Sequence, residues 1–334
     1  MKKKVWISLL LCAALVFTAV GCAPAKAPGG KGGLSAGLVT DTGGINDESF
    51  NQTAWAGMEK AKKELGADIR YVESKRDDDY VPNLTKFARE GRSITWGIGF
   101  KFDKAIPQVA NQFPNQKFGI VDHNLNGKIP KNVVAVTFKE NEGSFLMGVI
   151  AGLMTKTNKV GFIGGISSPL IKKFEAGYRA GVKAVNPKAT VEVAYAETFA
   201  DAAKGRSLAA NMYDSGIDVI YHAAGATGKG LFDEVKTRPK GKFWAIGVDM
   251  DQSRLAPDHT LSSMVKRVDV AVFNEIKNIK ENKFDGGKEV QLGLKENGVG
   301  IAPTTSKNVP KQVLDKVEEF KQKIIKGEIK VPTQ

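Results

Sequence analysis

The chain has 334 residues, which is enough for two domains that each bury a core of their own. Hydrophobic residues make up 42% of the chain and charged residues 25%, a balance that excludes a disordered or fibrous protein. The formal net charge is +13, but the lysines are spread along the chain beside acidic residues and no basic run interleaves with aromatics. We therefore expect attraction to an anionic membrane or cell wall and no nucleic-acid binding.

The first 21 residues have the parts of a bacterial export signal. Three lysines at positions 2–4 form a positive start, and the apolar run 5–20 is too short for a permanent membrane span. Small or compact residues stand directly before Cys22, as a lipoprotein cleavage site requires. We predict cleavage before Cys22, lipid on its thiol, a flexible tether over residues 22–33, and a location on the extracytoplasmic face of the cell membrane. An ordinary secretory signal and an uncleaved anchor are the alternatives.

The first part of the chain alternates short β-rich runs with stretches of helical period, which is typical of a parallel α/β architecture. The predicted strands are 34–40, 68–73, 94–99, 117–121 and 133–138, and the predicted helices are 47–65, 81–90, 103–111 and 142–154. The last of these helices is strongly apolar. We expect it to be buried, in a position where it could cross between two lobes.

The same alternation of predicted strands and helices begins again at residue 160. The predicted strands are 160–163, 190–195, 219–222, 243–248 and 261–266, and the predicted helices are 169–185, 202–215, 230–235, 270–282 and 310–326. Two similar α/β halves indicate two lobes with a cleft between them. Ligands of such sheets sit beyond the carboxyl ends of the strands, so the residues that follow each strand are the candidate site.

No catalytic or metal-binding constellation is recognisable in the sequence. His123, His222 and His259 are isolated and lack metal-ligand spacing. The glycine-rich run 225–230 lacks the first glycine and the final Ser or Thr of a phosphate loop, and the run 165–169 lacks the last glycine of a nucleophile elbow. The sequence predicts no metal, no cofactor and no requirement for an enzyme.

Residues 41–51, with the sequence DTGGINDESFN, strongly resemble the N-terminal signature of the basic membrane protein family. These are substrate-binding lipoproteins similar to the purine nucleoside receptor of spirochaetes. Further matches lie at 97–100, 142–148, 222–228, 247–252 and 327–332. The resemblance implies a type I periplasmic-binding-protein fold that feeds an ABC importer, with two doubly wound parallel-sheet lobes joined by hinge crossovers. The implied lobes are 34–138 plus about 268–300, and 139–267 plus about 301–334.

The resemblance also implies which residues hold a base. Phe50 and Phe199 stand where the family grips the base between two aromatic rings, which suits a flat purine. Asp122 would accept a hydrogen from a ring nitrogen or an exocyclic amine, and Asp41 and Asn46 are further candidates for the base edge. The alternatives are core phenylalanines and turn residues.

Three more residues are candidates for a ribose. Asp249 would accept from both hydroxyls of a cis-diol. Lys266 would donate to a ribose oxygen and compensate the buried carboxylate of Asp249, unless the two form only a surface salt bridge. Gly225 has no Cβ and would let its backbone approach the sugar. Several acids, one amine and no arginine cluster favour a neutral nucleoside over a nucleotide.

The sequence thus predicts a monomeric, lipid-anchored nucleoside-binding protein that delivers its ligand to an ABC permease. Three other hypotheses remain open at this point. They are a protein of the same fold that binds a sugar or another small ligand, a surface adhesin or sensor, and a nucleoside-cleaving enzyme.

Overall fold

A computed structural model describes residues 33–334, in which strands and helices alternate along the chain. The strands are β1 (Ser35–Val39), β2 (Asp68–Val72), β3 (Ile94–Ile98), β4 (Phe118–Val121), β5 (Val133–Phe138), β6 (Lys159–Gly164), β7 (Thr190–Tyr195), β8 (Val219–Ala223), β9 (Trp244–Asp249), β10 (Thr260–Lys266), β11 (Lys288–Leu292) and β12 (Val299–Ile301). The α-helices are α1 (Phe50–Leu65), α2 (Tyr80–Arg89), α3 (Ala105–Gln112), α4 (Glu140–Met154), α5 (Pro169–Val185), α6 (Ala202–Asp214), α7 (Lys229–Val235), α8 (Val268–Lys280) and α9 (Lys311–Ile325).

The strands form two sheets, and each sheet is the centre of one lobe. The order in the first lobe is β11-β5-β4-β3-β1-β2, with every neighbouring pair parallel. The order in the second lobe is β12-β10-β9-β8-β6-β7, in which β12 alone runs antiparallel to its neighbour. Inner strands such as β3 and β8 are buried at every residue, which explains their continuous apolar runs. The two-lobe α/β fold predicted from the sequence is confirmed.

Two strands, β11 and β12, escape prediction from the sequence. Each lies at an edge of its sheet and pairs on one side only. The sequence of β11 is KEVQL, and only Val290 and Leu292 are partly buried. The strand β12 has only three residues. The edge strands β2 and β7 are predicted from the sequence, so edge position alone is not the reason. β11 has one β-branched residue among charged and amide side chains, and β12 is shorter than the run that indicates a strand.

The chain passes between the two lobes three times. The passages lie at Lys139 between β5 and α4, at Arg267 between β10 and α8, and at residues 293–298 between β11 and β12. The backbone N–H of Lys139 donates to the carbonyl of Leu292 at 3.0 Å, and that of Arg267 donates to the carbonyl of Gly298 at 2.8 Å. The three passages therefore lie side by side and form one hinge.

The apolar helix α4 belongs wholly to the second lobe, so the prediction that it could cross between lobes is wrong. It packs closely along α5 and also contacts α9 and β10. A Cβ atom on Gly148 would lie 2.2 Å from the carbonyl oxygen of Tyr178, and one on Gly181 would lie 2.0 Å from that of Phe145. Only glycine permits so close an approach of the two helices. The passage of the chain between the lobes falls at the residue before α4.

Within residues 33–334, no helix combines the length and the apolar character that crossing a membrane requires. The predicted export signal, the predicted lipid attachment at Cys22 and nearly all of the predicted tether lie outside the described residues.

Candidate functional site

A cavity lies between the two lobes, where the carboxyl ends of strands from both sheets meet. The empty space among its lining residues, including open solvent at the mouth, is about 520 Å³. The polar and aromatic side chains of the first lobe that line it are Asp41, Asp47, Phe50, Asn51, Phe100 and Asp122. The second lobe contributes Phe174, Phe199, Gly225, Asp249 and Lys266, together with small and aliphatic residues.

The structure brings seven of the eight residues predicted from the sequence to this cavity, and Asn46 is the exception. Its side chain is exposed and does not line the cavity. The backbone N–H of Ile45 donates to Glu73 at 2.8 Å, and this bond holds the turn so that Asn46 faces solvent. Asn51, five residues further along the chain and in the first turn of α1, lies in the cavity instead.

The wall of the first lobe is organised by hydrogen bonds within a single loop. Asp41 Oδ1 accepts from the backbone N–H of Gly43 at 2.9 Å and from Asn51 Nδ2 at 2.8 Å. Asp47 accepts from the backbone N–H groups of Asn51 at 2.8 Å and Gln52 at 3.1 Å, which are free donors at the start of α1. Burial raises the pKa of Asp41, and burial raises the pKa of Asp47 to about 7 although its backbone donors lower it.

Sequence reasoning missed Asp47 and Asn51 as site residues. A sequence pattern could have indicated Asp47. An acidic residue that shortly precedes a helix is suited to accept from the free N–H groups of the first turn, and Asn51 stands in that turn.

Four cavity residues have a positive φ angle. The φ angles are +70° at Asp122, +65° at Asp249, +55° at Gly225 and +117° at Gly99. Non-glycine residues adopt this conformation at an energetic cost, and such residues concentrate at functional sites. Here Asp122 directly follows β4 and Asp249 ends β9, so the conformation occurs where each strand reaches the cavity.

Lys266 is a buried cation that joins the two lobes, with only 1% of its surface exposed. Its Nζ donates to Asp122 Oδ2 of the first lobe at 2.6 Å and lies 3.3 Å from Glu140 Oε1. Burial alone would lower the pKa of Lys266, but the carboxylates of Asp122, Glu140 and Asp249 together raise its pKa. Burial raises the pKa of Glu140.

This arrangement corrects the predicted pair of Lys266 and Asp249. The direct partners of Lys266 are Asp122 and Glu140, and Asp249 acts on it only at longer range. A surface salt bridge is also excluded, because all four side chains are buried. Glu140 was missed by sequence reasoning, since a glutamate in the first turn of a helix usually faces solvent.

Asp249 finds its hydrogen-bond donor in the opposite lobe. Its Oδ2 accepts from the hydroxyl of Ser49 at 2.5 Å. Burial raises the pKa of Asp249 to about 6, against the opposing effects of Lys266 and Ser49. At neutral pH the side chain is a carboxylate, and it offers an acceptor oxygen to the cavity.

The aromatic side chains of the cavity come from both lobes. Phe50 begins α1 in the first lobe, and Phe199 follows β7 in the second; both are partly buried. The ring of Phe199 meets Phe100 of the first lobe edge to face at a centroid distance of 6.2 Å. The ammonium of Lys266 lies 5.0 Å from the centre of the Phe50 ring, within the range of a cation–π contact. A flat ligand in this cavity would meet aromatic surface from both lobes.

Within the part of the chain that the structure describes, no cluster of three or more His, Cys, Asp or Glu side chains is arranged to hold a metal ion. Of the histidines, His222 is fully buried, and burial lowers its pKa to about 4. It is therefore neutral at physiological pH.

Comparison with known proteins shows the family of this chain. The profile of the Bmp family, described as ABC transporter substrate-binding protein PnrA-like, matches residues 35–334. The chain is 43% identical to the CD4+ T-cell-stimulating antigen of Listeria innocua serovar 6a, with 99% of each protein covered. It is 38% identical to the ABC transporter nucleoside-binding protein BmpA of Lactococcus lactis subsp. cremoris, with 100% of each covered.

Solved structures agree with this result. A solute-binding protein of an ABC transporter system from Aeropyrum pernix K1 superposes with a TM-score of 0.82 at 29% identity, covering 90% of this chain and 94% of that one. The chain therefore belongs to the Bmp family of ABC transporter substrate-binding proteins.

Proposed function

We propose that this protein captures purine nucleosides between its two lobes and delivers them to the permease of an ABC importer. The observation that carries the proposal is the composition of the cavity. Aromatic rings from opposite lobes face it together with four carboxyl groups and one buried ammonium. The name of the Lactococcus relative, a nucleoside-binding protein, supports the same ligand class.

In this proposal the base lies between Phe50 and Phe199. Stacking on each ring contributes roughly 0.5–1.5 kcal/mol beyond the burial of apolar surface. Asp41 and Asp122 accept hydrogen bonds from N–H groups at the edge of the base. Asp122 Oδ1 supports such a role, since it is buried and has no hydrogen-bond partner among the described residues. A purine carries N–H donors that satisfy such an oxygen.

The ribose lies against the second lobe. Asp249 accepts from the 2′ and 3′ hydroxyls, which a ribose offers as a cis pair and a deoxyribose does not. Lys266 donates to a ribose oxygen from its position between Asp122 and Glu140. Gly225, which is at positive φ and carries no side chain, leaves room for the sugar beside Phe199.

Charge selects the neutral nucleoside. The cavity holds the carboxyl groups of Asp41, Asp47, Asp122 and Asp249 and one ammonium, that of Lys266. A phosphate monoester carries about two negative charges and would meet net repulsion here. Nucleotides and sugar phosphates are therefore rejected.

Capture proceeds by hinge closure about the three passages between the lobes. The contacts across the cleft support this proposal, since they are the kind that a closed form with the ligand buried on both sides would make. We propose that the closed form docks on the permease, that lipid on Cys22 holds the protein at the membrane surface, and that binding involves no covalent chemistry.

A thermal-shift screen of the chain from Ala23 onward, stripped of carried ligand by unfolding and refolding, tests the proposal. A ligand that binds only the native state raises the melting temperature by mass action. We expect clear shifts with adenosine, guanosine and inosine, small shifts with their 2′-deoxy forms, and none with AMP, ribose or galactose. Shifts with sugars alone, or the release of ribose from inosine, would contradict the proposed function.

A further inference from the structure

The two lobes also touch each other beside the cavity. The tip that precedes α1 in the first lobe meets the loop that follows β9 in the second. Ser49 Oγ donates to Asp249 Oδ2 at 2.5 Å, and Gln252 Nε2 donates to the backbone carbonyl of Glu48 at 2.8 Å. The carboxylate of Glu48 also pairs with the guanidinium of Arg254. Of these five residues only Asp249 lines the cavity, so the other four act on closure without touching a ligand there.

The orientation of Gln252 follows from its hydrogen-bond partners. The side chain is buried, with 1% exposed, and its Oε1 lies 2.9 Å from the backbone N–H of Val248 and 2.9 Å from His222 Nε2. Val248 N–H can only donate and the Glu48 carbonyl can only accept, so the amide has one possible orientation. His222 then carries its proton on Nε2 and donates to Gln252. The second lobe thus holds Gln252 in place, with one N–H aimed across the cleft.

The hydroxyl of Ser49 is free to serve the opposite lobe. Ser49 stands at the N-cap of α1, but its side chain makes no capping bond to that helix. Asp47 instead accepts from the backbone N–H groups of Ser49, Asn51 and Gln52. Removing the Ser49 hydroxyl therefore leaves α1 with all of its own hydrogen bonds and deletes the bond to Asp249.

We propose that Gln252 and Ser49 are positioning residues for ligand capture. Gln252 docks the tip of the first lobe by its backbone at Glu48, and the docked tip places the Ser49 hydroxyl on one oxygen of Asp249. The other oxygen has no hydrogen bond within residues 33–334 and is left to the ligand. Asp249 is therefore oriented only when the lobes are closed. The inference rests on the proposed function for the ligand contact of Asp249, but the docking of the tip is independent of it.

The first test compares Ser49→Ala with the wild type in adenosine binding by the full-length protein. A hydrogen bond to a charged group is lost, so we expect a dissociation rate about tenfold higher or more and an association rate within about twofold. Ser49→Thr keeps the hydroxyl and should restore slow dissociation. Thr304→Val is the matched control, because Thr304 bonds to Asp251 within the second lobe alone.

The pH profile separates positioning from a general loss of structure. Ser49 lowers the pKa of Asp249, so its removal raises that pKa above about 6 and the affinity loss should be larger at pH 6 than at pH 8. The charged groups that act on Asp249 in both proteins are Lys266, Asp122 and Asp41. A loss of equal size at both pH values would overturn the positioning role of Ser49.

Gln252→Met tests the docking step separately. If both residues act through one docked tip, the double variant of Ser49→Ala and Gln252→Met should lose little more affinity than the worse single variant. Spin labels at the exposed positions Lys104 and Lys204 of the two lobes should report fewer closed molecules for each variant, even without ligand. The inference would be overturned if Ser49→Ala and Gln252→Met had the same spin-label distances and the same adenosine affinity as Thr304→Val. A wild type that closes but does not bind adenosine would instead contradict the proposed function.

Discussion

The two walls of the cavity are built in different ways. In the first lobe, Asp41, Asp47 and Asn51 satisfy one another and the start of α1 through bonds within one loop. In the second lobe, Asp249 and Lys266 take hydrogen-bond partners from across the cleft, namely Ser49 and Asp122. The loop of Asp41, Asp47 and Asn51 is therefore in place before closure, whereas Asp249, Lys266 and Asp122 gain their partners across the cleft only on closure. We infer that the ligand meets the first lobe first.

The largest effect on stability is expected from Lys266, the residue of the second lobe that pairs with Asp122 of the first lobe. Lys266→Met leaves the buried carboxyl groups of Asp122, Glu140 and Asp249 without their cation, which should lower the free energy of unfolding by about 3–5 kcal/mol near neutral pH. Burial already raises the pKa values of Glu140 and Asp249, and without the opposing effect of Lys266 they lie still further above their unfolded values. The penalty is therefore small at low pH and grows as pH rises. Urea unfolding at pH 5 and pH 8 measures it.

The control for this experiment is Lys311→Met, which removes an exposed pair with Asp315 on α9 and should change stability little at either pH. A Lys266→Met variant that loses the same stability at pH 5 and pH 8 would contradict the role of the buried carboxylates.

Alanine variants of the two aromatic residues should affect different rate constants of ligand binding. Phe50→Ala and Phe199→Ala should each weaken adenosine binding roughly 10- to 100-fold, from the loss of about 1.5–3 kcal/mol of burial. Phe50 adjoins the loop of the first lobe that is bonded before closure, so its loss should slow association as well. In this proposal Phe199 contacts the ligand only when the lobes close, so its loss should mainly raise the dissociation rate.

Stopped-flow binding measures both rates, and leucine at each position is the milder control. Identical kinetic effects of the two alanine variants would remove the order of binding inferred from the two walls.

The pH dependence of stability tests how the first wall is built. Burial raises the pKa of Asp47 to about 7 in the folded protein, so the proton on this group stabilises the fold at low pH. That contribution is fully present below the unfolded pKa of about 4 and is lost as pH rises through about 7. Asp47→Asn should therefore flatten the decline of unfolding free energy between pH 5 and pH 8, without abolishing it, since Asp249 still titrates near 6.

Chemical denaturation of both proteins across this pH range provides the comparison. An unchanged pH dependence in Asp47→Asn would mean that this carboxyl group has an ordinary pKa.

The smallest effect on adenosine affinity is expected from Asn46→Ala. Asn51→Ala, the same substitution at a cavity residue, is the variant with which it is compared. Asn51 is buried and donates to Asp41 and Asp47, so its removal should weaken adenosine binding about tenfold. Asn46 is exposed and outside the cavity, so its removal should leave affinity within about twofold. Calorimetric titration of both variants measures the contrast. Equal losses would place Asn46 at the ligand after all.

The sequence predicts the inner strands, the helices and the cleft because these follow from local patterns. Continuous apolar runs mark β3 and β8, and helical periodicity marks α5 and α9. The strands β11 and β12 leave no such mark, because β11 is mostly charged and amide side chains and β12 has only three residues. Seven predicted site residues reach the cavity because they follow strand ends or stand at a helix start. Asn46 does not, because a turn within the same loop faces it outward.

The sequence by itself determined the family, the two-lobe α/β architecture and the loops that meet at the cleft. Those properties depend on the spacing of apolar residues and on motifs that are contiguous in the chain. Only the tertiary structure decided that Lys266 pairs with Asp122 and Glu140, that Ser49 reaches Asp249, and that Glu140 is buried. These contacts join residues as far as 200 positions apart. Charge pairing among several buried acids is decided by distance and burial, which only the docking of the two lobes establishes.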